Sequence, residues 1–131
     1  MTEKTIVVRD RATGRPVHVP VSRVPEAIRP DNWFENPDWR HRPDRAEFKP
    51  IIQKLLDDKP LTRREVEKLA QYIVDYAAHI AVTVWLFSGG GSVDYYAGLV
   101  GRLRRMRDRA TSRRHVMGML QLGLEQGLDF L

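Results

Sequence analysis

Cysteine is absent from the chain. That single absence excludes disulfides, thiolate zinc sites and cysteine nucleophiles together. Long apolar runs are also missing: the longest, AAHIAVTVWLF at residues 77–87, has eleven residues and carries His79 and Thr83, whereas a membrane span needs about 20. The opening MTEKTIVVRD lacks the apolar stretch of a secretory signal. A soluble, cytoplasmic protein without membrane contact is the expectation. The four histidines, His18, His41, His79 and His115, are scattered rather than set at metal-ligand spacing. No cofactor motif stands in the sequence, so neither metal nor cofactor is expected.

What is present suits one globular domain with appendages. The 131 residues are 42% hydrophobic and 30% charged, enough for one core and too short for two. Segment TIVVRDRATGRPVHVPV (5–21) has two β-branched runs around Thr13 and Gly14, with Val17, Val19 and Val21 alternating, which predicts a hairpin. Pro16 and Pro20 remove ladder donors and place the second strand on an edge. Residues 24–43 hold four prolines and no sustained period; they predict an extended connector. Its Trp33, Phe34 and Trp39 are read either as pins onto the helical body or as anchors for a protein partner. The division is therefore an arm over 1–43 and a helical domain over 44–131.

Four helices are expected in that domain. The first carries Ile51, Ile52, Leu55 and Leu56 on one stripe, with Pro50 near its first turn and Pro60 closing it. A capping box of Thr62 with Glu65 opens the second, whose Val66, Leu69, Ile73, Ala77, Ile80 and Val84 keep helical spacing. From Ala77 onward nearly every side of it is apolar, which predicts the core centre or an oligomer contact over 77–87. After SGGGS at 88–92, Ser92 can cap a third helix running to about Ala110, and Thr111 or Ser112 a fourth. That fourth helix carries Val116, Leu120, Leu124 and Leu128 on a stripe, while Gly123 and Gly127, four apart, predict a bare surface for helix approach or self-association. The fold class is thus mainly α: a compact bundle of about four helices, a small N-terminal β-hairpin and an extended Pro/Trp-rich connector.

Charge is concentrated in one segment. Residues 88–115 carry seven arginines against Asp94 and Asp108, and so account for the whole formal net charge of +5. Stepping about 100° per residue from Arg102, the residues Tyr96, Leu99, Val100, Leu103, Met106 and Ala110 share one arc, facing the core. Arg102, Arg109 and Arg105 fall together on a flank, at about 0°, −20° and −60°. Arg104 sits on the other flank, and Arg113 and Arg114 follow beyond the helix. Arg107 falls inside the apolar arc, where it needs an acidic partner or an outward bend. Gly98, Gly101 and Ala97 form a small-residue patch beside the arginines. Guanidinium groups suit phosphate because each offers a planar fork of donors and stays charged; the bland reading is a solvated face that also complements the helix dipole.

Enzymatic chemistry finds little support. SGGGS lacks the lysine of a phosphate-binding loop and reads as a joint. Asp75 and His79, four apart, can share a metal or a proton but have no third ligand at a telling spacing, so a pair inside the bundle is expected. The expectation is a non-enzymatic helical subunit or accessory factor of a nucleic-acid machine, contacting phosphate through Arg102, Arg104, Arg105, Arg109, Arg113 and Arg114. The alternative is a protein-binding regulator or inhibitor that docks on a larger assembly through the hairpin, the Trp33 to Trp39 connector or the arginine face meeting an acidic partner.

Overall fold

The computed structural model describes residues 5–9, 13, 15–30, 45–87 and 93–127. The protein is mainly helical, with α1 (Arg45–Leu56), α2 (Arg63–Phe87), α3 (Val93–Asp108) and α4 (Arg113–Glu125). Two short strands, β1 (Thr5–Arg9) and β2 (Pro16–Pro20), pair antiparallel with Ile6 opposite Val19 and Val8 opposite Val17. On β2, Val19 is buried and His18 exposed, the alternation of a ribbon with one face against a body. Gly14, assigned to the turn, lies outside the described residues.

Helix α2 is the axis of the fold. Its residues 72–79 are all buried, and α1, α3, α4 and β1 all pack on it. The eleven-residue apolar run proves to be the end of one continuous 25-residue helix. By length and composition alone that helix could cross a bilayer, and 72% of its apolar window is buried within the chain. Its start follows the expected capping box: Glu65 N–H donates to Thr62 Oγ1 at 3.1 Å, and Thr62 N–H donates to Glu65 Oε1 at 3.0 Å. Lys54 Nζ reaches Glu65 Oε2 at 2.8 Å and ties α1 to this cap. The lysine bond first, then the Thr62 amide, hold the Glu65 carboxyl below its usual range.

Several local expectations are corrected. Pro50 lies inside α1 rather than in its first turn, because the helix begins five residues earlier. That helix ends before Pro60, at Leu56. The amides of Asp58 and Lys59 bond back to the carbonyls of Leu55 and Lys54 at 3.2 and 2.8 Å, which is a Schellman ending. Asp58 holds the left-handed position usually given to glycine, with φ 57°. The connector is not extended at its start. Single 3-10 turns at Val21–Arg23 and Glu26–Ile28 bring Val24 and Ile28 into the core at 2% and 0% exposure. Residues 24–30 therefore belong to the body that the helices build.

The last helix also differs. Ser112 is the cap and His115 its reciprocal partner, with Nδ1 accepting from the amides of Thr111 and Ser112 at 3.0 and 3.2 Å. Val116, Met119, Leu122 and Gly123 are buried, while Leu124 is 60% exposed. The buried stripe thus turns away from Leu124. Gly127 lies past the end of α4 at φ 83°, with its amide on the Leu124 carbonyl at 3.0 Å. It is a helix stop, and with Gly123 buried the two glycines do not form the bare helical surface expected of them. The segment 77–83 of α2 is spent largely on the chain's own core: Ala77, Ala78, Ala81 and Val82 are buried.

Candidate nucleic-acid interface

Leu99, Val100 and Leu103 fasten α3 to α2, with Tyr96 and Met106 half-buried at the margins. That anchoring is the arc expected from the 100° step, and it decides where each arginine goes. Three of the seven are used inside the molecule. Arg104 donates from Nη1 to the Ala27 carbonyl at 3.3 Å and from Nη2 to the Arg29 carbonyl, so it seizes the turn that buries Ile28. Arg113 donates to the Leu55 carbonyl at 3.1 Å and pairs with Asp58 at 2.8 Å, joining the start of α4 to the end of α1. Arg107 meets Asp108 at 3.0 Å and donates to Gln71 Oε1 at 3.3 Å. It thereby finds the acidic neighbour that its place in the apolar arc demanded.

The other four are arranged differently. Arg102, Arg105, Arg109 and Arg114 are exposed, and they make no hydrogen bond or ion pair with the described residues. Asp108, the acid nearest them in sequence, is occupied by Arg107. Arg104 and Arg113 leave the phosphate-facing set, which narrows from six arginines to these four. Their flank is smooth. A Cβ at Gly98 would meet nothing within 4 Å, and one at Gly101 would touch only the Arg105 guanidinium at 3.6 Å.

Sequence reasoning passed over one residue of this flank. Tyr95 is 54% exposed, and it sits at about +20° by the same stepping, in line with Arg102. Its ring centroid lies 5.1 Å from that of Tyr96, with the two planes at 90°. The spacing 95, 98, 102, 105, 109 alternates by three and four, the signal that would have found it.

The remaining candidates are placed as follows. Asp75 and His79 are both inside the bundle, 2% and 5% exposed; both Asp75 oxygens accept from Gln71 Nε2 at 3.2 Å. Among the described residues no three His, Asp or Glu side chains gather as a metal site would require. An open recess of about 420 Å³ lies between β2 and the end of α2, lined by Val17, Val19, Trp85 and Leu86 among others. Trp33, Phe34, Trp39 and the SGGGS segment lie outside the described residues. No protein-family model, curated protein or solved structure matches the chain.

Proposed function

We propose that this protein is a small, non-enzymatic cytoplasmic subunit or accessory factor of a nucleic-acid machine, which grips the phosphate backbone with the outer flank of α3. One observation carries the reading: Arg102, Arg105, Arg109 and Arg114 stand exposed with no acidic partner among the described residues, while their neighbours are all engaged. A merely solvated face gains by mixing both signs of charge; from Arg102 onward this flank presents arginines that no acid pairs with among the described residues. Phosphate contacts position a protein without reading sequence, so the activity is backbone binding and not recognition of a site.

The test is a salt titration of labelled nucleic acid. If four phosphates are neutralised, affinity for a single strand falls about 50-fold between roughly 50 and 200 mM salt. In the Arg102→Ala, Arg105→Ala, Arg109→Ala triple variant, one contact remains and the fall shrinks to about threefold. An unchanged salt slope in that variant refutes the reading. A second reading, docking of an acidic protein partner on the same flank, is favoured by the three-four spacing of the exposed stripe. It predicts capture by an acidic helix and no binding to nucleic acid.

A further inference from the structure

We infer that the nucleic acid held by α3 is single-stranded, with an unpaired base stacked on Tyr95 and the backbone running over Gly98 toward the arginines. The inference rests on the phosphate-binding reading and adds the state of the ligand to it.

Three observations converge on one line. Tyr95, Gly98, Arg102 and Arg105 fall within an arc of about 80° and extend along α3 for about 15 Å, with Arg109 in the turn that follows the helix. Tyr95 opens the line with a ring more than half exposed. Edge-on contact with Tyr96, itself packed on the core, braces that ring. A braced aromatic plane beside a row of cations is the pairing that single-strand binders use, because every base has a π-face but only an unpaired base can present it. A duplex keeps its faces stacked inside and would leave Tyr95 without a role.

Gly98 supplies the passage between the two. Helical glycine costs about 1 kcal/mol relative to alanine, and nothing in the fold requires it here, since a Cβ would enter open space. A ligand backbone crossing close to the helix does require it. Acidic groups set the polarity of the line. Asp94, in the first turn of α3, disfavours phosphate at the Tyr95 end, and the arginines favour it at the other. Base at the N-terminal end and phosphates at the C-terminal end is the arrangement that satisfies both. DNA and RNA share this chemistry.

The experiment measures anisotropy of labelled oligo(dT), oligo(U), a matched DNA duplex and an abasic oligomer that keeps the phosphates and lacks the bases. The native protein is expected to bind both single strands more tightly than the duplex or the abasic strand. Tyr95→Ala should lose about tenfold in single-strand affinity, a typical loss for one stacked base, and leave the abasic strand unaffected. Tyr95→Phe should retain binding. Gly98→Leu should raise the melting temperature through better helix propensity and yet weaken single-strand binding, a pairing of effects that a purely structural role would not give. Equal affinity for duplex and single strand, or an unchanged Tyr95→Ala variant with a salt-dependent native protein, overturns this inference and leaves phosphate binding intact. No salt-dependent binding to any of the four probes overturns both.

Discussion

The two flanks of α3 are made of the same residue and do opposite things. On the inner flank Arg104 is drawn onto the carbonyls of Ala27 and Arg29; on the outer flank Arg102, Arg105 and Arg109 stand exposed. Arg104 and Arg105 are adjacent in sequence and about 100° apart in space. That rotation separates an arginine that closes the fold from one that is offered to a ligand. An arginine-rich stretch therefore has no single role: three of these seven arginines are architecture.

Exchanging the roles is the sharpest way to test the contrast. Arg104→Ala should cost about 1–3 kcal/mol in urea unfolding, because two backbone carbonyls lose a charged donor, and should leave salt-dependent binding of the folded protein unaltered. Arg102→Ala should do the reverse, with stability within about 0.5 kcal/mol of the native value. Equal losses of stability in both variants would erase the distinction between the flanks. A smaller effect is expected at Gly98: alanine there should stabilise the protein by up to about 1 kcal/mol, read as a raised melting temperature. A lowered melting temperature would mean that the open space at Gly98 is needed by the fold itself.

The smallest effect lies away from α3 and serves as its control. Glu65 is held as carboxylate by Lys54 and the Thr62 amide, so its folded pKa lies below the ordinary 4.5. Its contribution is therefore present above that ordinary value and disappears as the pH falls through the lower folded one. Glu65→Gln should be less stable than the native protein by roughly 0.5 kcal/mol at neutral pH, since Lys54 is well exposed. The difference should close as the pH falls below the ordinary 4.5 and through the lower folded value. A gap that persists at acid pH would show that the ion pair contributes nothing and that only the cap shape matters.

These contrasts also mark how far the chain could be read without its fold. The Thr62 and Glu65 cap is legible because all its atoms come from four consecutive residues, and the core arc of α3 because a helix converts spacing into angle. Arg107 announced its need for a partner by its position in that arc. The task of Arg104 was illegible: its acceptors lie 75 and 77 residues away, and backbone carbonyls have no signature in sequence. The burial of Val24 and Ile28 was hidden by the prolines around them, which suggested an extended arm and conceal a tight turn. The left-handed turn at Asp58 was illegible for a similar reason, since no glycine marks it and its partner Arg113 lies far along the chain. Tyr95 was within reach of the angular arithmetic; attention to charge alone passed it by.

Helix α2 has a consequence for how the molecule can come apart. Because α1, α3, α4 and β1 all close on this one element, removing any of them uncovers apolar surface on the same helix. Partial openings should be correspondingly rare, and the slowest amide exchange should fall together on the stretch from Leu69 to Val82. The outer flank of α3 is then an all-or-none surface. Its cations Arg102, Arg105 and Arg109 are aligned while the whole body is closed, and they disperse into an ordinary basic coil when it opens, so the grip on a ligand and the integrity of the core rise and fall as one transition.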